Sequence, residues 1–226
     1  MSDASDSPAP IGIKDEIAAL KRERTIQAAV ELFYERGYEN TTLEAVAERL
    51  GVTKPFIYAH CGSKAELLAE ICGRGIRSSL DSINDVLAQK QTATQKLRLL
   101  GQRFVAAVLK DQKHIAIFAR EEKNLAPGDF VRISNMRRDF DAKLCGLLDA
   151  GIGTREFMLS DSRVPALAIG GLVSWIYVWY RPNGRLSQAD LADEVSELIL
   201  SMVGAPKAAA ASAPRTAAMP RVRTLR

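Results

Sequence analysis

The sequence predicts an all-α protein in which a small three-helix head precedes a larger helical body. Apolar side chains recur at helical spacing in nearly every segment between the two ends of the chain. Helix-capping patterns and glycines mark where those segments begin and end. No window alternates apolar and polar residues over enough positions to indicate a β-sheet.

The head, residues 18–64, is predicted to contain three helices. They cover residues 18–36, 41–50 and 54–60. Thr41 and Glu44 have the spacing of a capping box at the start of the second helix, and Thr53 is placed to cap the third. Gly51 separates the second helix from the third, and two short helices joined by a glycine-containing turn are typical of a helix-turn-helix.

The body, residues 65–204, is predicted to be helical throughout. Ser63 and Glu66 form a second capping-box pattern, which opens a long helix with apolar residues in register to Leu87. Further helices are predicted at about residues 94–110, 112–124, 128–150, 163–180 and 188–203.

The composition is that of a folded protein with reduced thiols. Of the 226 residues 47% are hydrophobic, which is ample for a packed core and excludes a disordered or fibrous chain. Cys61, Cys72 and Cys145 cannot pair evenly and match no zinc-ligand spacing. We therefore expect a cytoplasmic protein with free thiols and without a bound metal or cofactor.

The net charge of +4 is no evidence that the folded part binds nucleic acid. Residues 1–64 carry eight basic and ten acidic side chains, and residues 65–204 carry 18 and 17. Residues 205–226 carry five basic side chains and no acidic one. The basic character therefore lies at the end of the chain, and DNA binding has to be argued from individual residues.

Both ends of the chain are expected to be disordered tails, residues 1–17 and 205–226. The first is acidic and lacks the basic and apolar stretches of a targeting signal. The second is rich in alanine, proline and basic residues, and it could add non-specific DNA affinity. Residues 164–180 are uncharged but short for a membrane span and contain Pro165, so we predict a helix buried on most sides and no association with a membrane.

The third helix of the head has the length and chemistry of a recognition helix. Eight helical residues are about 12 Å long, which suits a DNA major groove about 12 Å wide. Lys54, Tyr58 and His60 offer hydrogen-bond donors, and Pro55 and Phe56 offer apolar surface suited to thymine methyl groups.

Residues 41–68, TTLEAVAERLGVTKPFIYAHCGSKAELL, resemble the DNA-binding head of TetR/AcrR-type transcriptional regulators. The preceding AAVELFYERGYENTT fits as well, so that the resemblance covers residues 22–68. It implies a homodimer on a palindromic double-stranded DNA operator, usually a repressor that is released by a small ligand bound in the body.

The resemblance assigns roles to individual residues of the head. Lys54, Pro55 and Phe56 correspond to the turn that faces the bases. Thr42, Tyr58, His60 and Lys64 correspond to positions that typically bind phosphates. Thr42 and Lys64 also lie at helix starts, where free backbone N–H groups favour an anion. The full set expected to contact DNA is Thr42, Thr53, Lys54, Pro55, Phe56, Tyr58, His60 and Lys64.

The resemblance also implies a ligand site within the body, between about residues 76 and 180. An apolar cavity is expected there. Its expected lining is Phe104, Phe118, Met136, Phe140, Trp175 and Tyr177, with Arg120, Asn124 or Arg137 as polar anchors. Residues 119–125 and 175–187 loosely resemble regulators of acyl-CoA, steroid or aromatic catabolism, which suggests an apolar acid or its CoA thioester as the ligand.

The equivalents of residues 164–180 and 188–203 pair across a two-fold axis in the family. Gly170, Gly171 and Ser174 would permit close helix approach, and Trp175 or Trp179 could supply buried area. The alternative is that both helices complete the core of one protomer.

Two features leave other interpretations open. Ala59 and Cys61 stand where family members often have aromatic residues; Cys61 is expected to be a small buried side chain, with a redox-sensing thiol at Cys61 or Cys72 as the alternative. Ala59 and the acidic head also favour a helical ligand-binding or adaptor protein without sequence-specific DNA binding. An enzyme is not expected, because no nucleophile, phosphate-loop or carboxylate-pair pattern is present, and His114 has no metal-ligand partner at suitable spacing.

Overall fold

The computed structural model describes residues 12–206, and within that range every element of regular secondary structure is a helix. In chain order the α-helices are α1 (Ile13–Arg36), α2 (Leu43–Leu50), α3 (Lys54–Cys61), α4 (Lys64–Leu87), α5 (Ala93–Lys110), α6 (Gln112–Glu121), α7 (Pro127–Gly153), α8 (Arg163–Ser174), α9 (Ile176–Trp179) and α10 (Gln188–Met202). A 3₁₀ turn, Glu122–Asn124, follows α6. The predicted all-α fold with a three-helix head is confirmed.

The inner ends of both predicted tails belong to the folded structure. Helix α1 begins at Ile13, where Asp15 and Glu16 place negative charge on the free N–H groups of its first turn. Residues 13–24 are all exposed, so this part of α1 has no buried apolar face. The sequence therefore shows no helical spacing of apolar residues there. At the other end Ala205 packs against the body core. Residues 1–11 and 207–226, the rest of both predicted tails, lie outside the described range.

The two predicted capping boxes differ in outcome. Ser63 and Glu66 form one at the start of α4, with each side chain accepting the backbone N–H of the other residue. The predicted box of Thr41 and Glu44 is wrong, because Thr42 caps α2 and accepts from Ala45 N–H. The buried Thr41 hydroxyl instead donates toward the carbonyl oxygens of Leu32 in α1 and of Gly37 just after it. Thr53 holds the N-cap position of α3 without a side-chain capping bond.

The apolar stretch of residues 164–180 is neither one regular helix nor buried on most sides. It is interrupted at Trp175, where the N–H of Val178 bonds to a carbonyl three residues back instead of four. Leu167, Trp175 and Trp179 are 64%, 60% and 48% exposed. None of the described helices combines the length and the apolarity needed to cross a membrane.

Two hydrophobic cores lie along the molecule. The core of the head contains buried residues of α1 to α4, and Ile117 of α6 and Ile133 of α7 complete it. The core of the body contains α5, α8 and α10 with parts of α4 and α7. Ile76 of α4 and Met136 of α7 pack against both cores. Helices α4, α6 and α7 therefore join the head to the body through buried side chains.

Helices α5 and α10 cross at very short range in the body core. A Cβ atom added to Gly101 of α5 would lie 2.9 Å from the Oγ and 3.1 Å from the Cα of Ser196 in α10. Ser196 is fully buried, and its hydroxyl donates to the Arg98 carbonyl oxygen across 2.7 Å. A methyl group at residue 101 would be tight, because it would meet the Ser196 Oγ and also the Ser196 Cα, a backbone atom that cannot rotate away.

Replacing Gly101 by alanine is expected to lower the free energy of unfolding by about 1–3 kcal/mol through overpacking. Gly146→Ala in α7 is the matched control. Nothing lies within 4 Å of its added methyl group, so the loss of backbone freedom in the unfolded chain should stabilise the fold by about 0.4–1 kcal/mol. Thermal unfolding midpoints at one fixed protein concentration test both. Equal midpoints would contradict the close crossing of α5 and α10.

Candidate nucleic-acid interface and ligand cavity

The turn between α2 and α3 is held by Gly51. This residue has a φ angle of 66° and a ψ angle of 33°, the left-handed conformation that glycine adopts without steric cost. The N–H of Val52 bonds back to the carbonyl of Ala47. Val46 of α2 and Ile57 of α3 are fully buried beneath the turn. The two helices are therefore fixed relative to each other as a helix-turn-helix.

Helix α3 presents one polar face to solvent. Lys54, Pro55, Tyr58 and Ala59 are exposed, whereas Ile57 lies in the core of the head. Exposed donors on a fixed eight-residue helix are the arrangement that reads base edges and phosphates in a major groove. The structure thus brings the predicted base-facing and phosphate-binding residues of α3 to one surface.

Phe56 and His60 form a stacked pair on α3. Their rings lie 4.2 Å apart at an interplanar angle of 20°, and the ammonium group of Lys21 lies 5.7 Å from the Phe56 ring centroid. The Nδ1 atom of His60 lies 2.9 Å from the Phe56 carbonyl oxygen, which accepts only, so we assign the proton to Nδ1. Neutral His60 then has an acceptor at Nε2, and only the imidazolium form can donate to a phosphate there.

Two further predicted phosphate-binding residues lie at helix starts beside α3. Thr42 is exposed; its oxygen accepts from Ala45 N–H, and a hydrogen bond from its side chain contributes to the lowered pKa of Glu44. Lys64 is the first residue of α4, with its ammonium group 4.3 Å from the Tyr38 ring centroid and 3.3 Å from the Glu39 carbonyl oxygen. Both donors are held in place by local contacts.

Lys54 is bound to an acidic neighbour that the sequence did not point to. Its ammonium group forms an ion pair with Glu44 in the first turn of α2 and lies 5.8 Å from the Tyr58 ring centroid. The hydrogen bond that Lys54 donates to Glu44 lowers the pKa of Glu44 below its ordinary value and raises the pKa of Lys54. Motif reasoning missed Glu44, Lys21 and also Arg22, whose guanidinium donates to the His60 carbonyl oxygen of α3 across 3.1 Å.

A cavity of about 520 Å³ opens in the body. Six of the predicted ligand-contacting residues line it, namely Phe104, Phe118, Arg137, Phe140, Trp175 and Tyr177. Glycines 170 and 171, Leu167 and Ser174 of α8 also border it. Its walls are therefore mainly aromatic and aliphatic, as small-molecule sites usually are.

The other three predicted ligand-contacting residues lie elsewhere. The Arg120 guanidinium donates to the Tyr34 carbonyl oxygen in α1 and lies 5.1 Å from the Tyr34 ring centroid. The Asn124 side chain donates to a carboxylate oxygen of Glu121 across 2.9 Å. Met136 packs between the two hydrophobic cores. Arg120 and Asn124 thus serve the contact between head and body and do not line the cavity.

Polar groups at the cavity are few and mixed in charge. The Arg137 guanidinium lies 5.5 Å from the Phe118 ring centroid, and no hydrogen bond or ion pair joins it to another residue of the described range. Asp141 and Glu122 also line the cavity, and burial raises the pKa of Asp141. Sequence reasoning missed both acids, because acidic residues on long helices usually face solvent.

The buried cysteines and histidine have structural surroundings. Cys61 and Cys72 are buried; burial raises the pKa of the Cys61 thiol and raises that of Cys72 to about 12. Both sulfurs are therefore protonated at neutral pH, which is unfavourable for a redox-reactive thiol. His114 is buried 3.8 Å from Asp111, and burial lowers its pKa. Across residues 12–206 no three His, Cys, Asp or Glu side chains are grouped as metal ligands.

Helix α6 contacts the cavity on one side and α1 on the other. Ile115, Phe118 and Ala119 line the cavity. On the opposite side Lys113 pairs with Glu31, and Glu121 accepts the Tyr38 backbone N–H across 3.2 Å just beyond the end of α1. The carboxylate of Glu121 is buried and also accepts from Asn124. A ligand in the cavity would therefore touch the helix that holds the head.

Two protein-family profiles match the chain. Residues 26–71 match the bacterial regulatory proteins of the tetR family, and residues 90–203 match the tetracyclin repressor-like C-terminal domain. The chain is 24% identical over 188 residues to the HTH-type transcriptional repressor KstR2 of Rhodococcus jostii RHA1, across 82% of this chain and 92% of the relative.

Solved structures show the same fold. A bacterial regulatory protein in the tetR family from Rhodococcus RHA1 has a TM-score of 0.75 at 26% identity, across 83% of this chain and 98% of the other. AibR in complex with isovaleryl coenzyme A and operator DNA has a TM-score of 0.70 at 22% identity, across 82% and 99%. With both its head and its body matched, this chain belongs to the TetR family of DNA-binding transcriptional regulators.

Proposed function

We propose that the protein is a homodimeric repressor that binds a palindromic operator through α3 and is released by a small apolar ligand in the body. The observation that carries this proposal is the position of α6, which lines the cavity on one side and holds α1 on the other. The relative KstR2 is named a repressor, and the fold of AibR is known with a CoA thioester and operator DNA together.

The proposed DNA contacts divide into base contacts and phosphate contacts. Lys54 and Pro55, exposed at the start of α3, face base edges. Thr42, Tyr58 and Lys64 donate to phosphates on either side of the groove, and His60 is the fourth residue assigned to phosphates. Phe56 supports His60 by stacking, which leaves less of its ring for a thymine methyl group than the sequence suggested.

The proposed dimer buries the exposed apolar face of α8 to α10. Large side chains exposed there are Val164, Leu167, Trp175, Val178, Trp179, Leu198 and Met202. Of these, Val164 of α8 and Leu198 and Met202 of α10 do not border the cavity, so they are available for a helix of a second copy. A two-fold arrangement of such faces sets the two recognition helices at a fixed separation.

The cavity is suited to a ligand with an apolar body and one anionic or carbonyl group. Its volume lies within the usual range of small-molecule sites, about 300–1,000 Å³. Arg137 is the one basic residue among those that line it. An apolar carboxylic acid or its CoA thioester would place the acyl chain among Phe104, Phe118 and Phe140, with the carbonyl or carboxylate group toward Arg137.

Release requires that the ligand bind more tightly to a conformation of the body in which the distance between the two heads differs from the distance that the operator requires. Helix α4 runs from the head into the body, and α6 is the second route, because its residues touch both the cavity and α1. Movement of α6 by a ligand would alter the contacts of Glu121 and Arg120 with α1. The angle of the head would then change.

Fluorescence anisotropy against tiled fragments of the DNA that flanks the gene tests the proposed function. One fragment bound at nanomolar concentration in excess competitor DNA, with a palindrome in it, supports the proposal. Uniform, salt-sensitive binding to every fragment would instead favour a helical ligand-binding or adaptor protein. The bound fragment then serves to screen acyl-CoA thioesters, isovaleryl-CoA among them, and their free acids for release.

Lys64→Ala should weaken binding to every DNA sequence, because one phosphate contact is lost. The slope of log affinity against log salt concentration should become shallower by about 0.9 for each head. Lys54→Ala should weaken operator binding about tenfold and relax base preference at one position of each half-site. Lys90→Ala, an exposed lysine beyond α4, removes the same charge and should have no effect. Salt titrations of anisotropy with operator and mutated half-sites measure these changes. Equal behaviour of all three variants would contradict the assigned interface.

Leu198→Glu in α10 is expected to convert the dimer to a monomer, because it places a charge in a desolvated apolar interface. Operator affinity should then fall to that of a single head. Val131→Glu in α7 is the control, since Val131 is similarly exposed beside the head. Sedimentation equilibrium gives the mass of each variant. A dimer that survives Leu198→Glu would rule out this face.

Glu121→Ala is expected to weaken the coupling between ligand and DNA. The backbone N–H of Tyr38 would lose its acceptor, so α6 could move without moving α1. Ligand affinity without DNA should stay within about twofold, while release of the operator by the same ligand should require more of it. Asn124→Ala, which keeps the bond between Glu121 and Tyr38, should release normally. Isothermal titration and anisotropy measure the two steps separately, and unchanged release by Glu121→Ala would contradict the α6 route.

A further inference from the structure

We infer that Glu44 limits binding to non-operator DNA by holding Lys54 in an ion pair on the surface that meets DNA. The inference rests on the proposed DNA-binding function and adds a residue that selects between DNA sequences. Both partners are exposed, with 45% of the Lys54 side chain and 58% of the Glu44 side chain accessible. Any DNA that approaches the exposed face of α3 meets this pair.

The pair removes one cation from sequence-independent binding. Such binding depends on lysines and arginines that neutralise phosphates and release counterions. Glu44 offsets the positive charge of Lys54. Their contact lowers the pKa of Glu44 and raises the pKa of Lys54, so both groups stay ionised. A phosphate therefore has to compete with a carboxylate that is already in contact with the ammonium group.

Base edges in the major groove compete with Glu44 for Lys54 in a different way from phosphates. When Lys54 leaves Glu44, the carboxylate keeps its hydrogen bonds from Thr42 and from its own backbone N–H, but it loses its cation and faces the DNA with its full negative charge. Phosphates and sugars of the DNA backbone offer acceptors to it and no donor. The major groove offers both halves of the exchange, since guanine O6 and N7 accept from lysine and cytosine N4 donates to a carboxylate. A matching base sequence can thus replace both partners of the ion pair, whereas backbone contact replaces only one.

Other acidic groups near the recognition helix do not have this arrangement. Glu66 is occupied by the capping box at the start of α4. Glu35 of α1 pairs with Arg49 of α2 at 3.2 Å, on exposed surface and without a contact to α3. The Glu35–Arg49 pair therefore matches the Glu44–Lys54 pair in charge and exposure but not in position.

The test compares Glu44→Gln with Glu35→Gln, each of which adds one positive charge and frees one basic side chain. Binding to a labelled duplex of random sequence is measured by anisotropy over a range of salt concentrations. Glu44→Gln should tighten this binding about two- to fivefold for each head and steepen the salt slope by about 0.9 for each head. Operator affinity should rise less, so that the ratio of operator to random affinity falls. Glu35→Gln should change random binding less than twofold.

Equal tightening by Glu35→Gln would overturn the inference, because net charge alone would then explain the effect. Unchanged random binding by Glu44→Gln would overturn it as well. Both substitutions are at exposed positions, and circular dichroism confirms the fold of each variant. Failure of the proposed function is a different result, in which the wild-type protein prefers no fragment over random DNA.

The double variant tests whether Glu44 acts through Lys54. In a Lys54→Gln background, adding Glu44→Gln should no longer tighten binding to random DNA, because there is no ammonium group to release. If the tightening persists at full size, Glu44 repels phosphates directly and does not act by holding Lys54. That result would overturn the inference.

Discussion

The head of this protein has no closed core of its own. Ile117 of α6 and Ile133 of α7 are buried in the same cluster as Phe33 and Ile57 of the head. Burial of one such side chain contributes about 1.5–3 kcal/mol, so these two side chains from the body bind the head more firmly than a flexible linker would. The head therefore cannot turn freely, and a change in its angle has to be accompanied by movement of α6 or α7.

In the proposed mechanism, α6 couples this constraint to the cavity. Glu121 is buried, accepts two hydrogen bonds, and sits one residue before Glu122 at the cavity wall. The Tyr38 N–H is partly buried, so losing its acceptor costs up to about 1–3 kcal/mol, and the contact between Glu121 and Tyr38 favours discrete positions of α6 over gradual sliding. A ligand of micromolar affinity binds with a free energy of about 8 kcal/mol. To shift α6 between two positions, the ligand needs binding free energies for them that differ by only about 1–3 kcal/mol.

The head could be predicted from the sequence because its signals are local. The turn glycine Gly51, the capping box of Ser63 and Glu66, and the alternation of buried and exposed positions on α3 each depend on neighbours within one or two turns. The cavity is a long-range feature, and on α6 both sides are packed, so periodicity could not separate Phe118 at the cavity from Arg120 at α1. The partner of Lys54 was missed for the same reason, because Glu44 lies on a different helix.

The charge of the head connects the proposed dimer to its regulation. Residues 1–64 carry a net charge of −2, and within the described head Lys54 and Arg49 are paired with carboxylates. A single head therefore gains little from general attraction to phosphates, and two linked heads bind well only when both fit at the same time. Operator affinity of the proposed dimer would then depend on the distance between the heads more than on either head alone. In the proposed dimer, a small rotation through α6 would lose one half-site, and the second head would gain too little from general attraction to phosphates to keep its place on DNA.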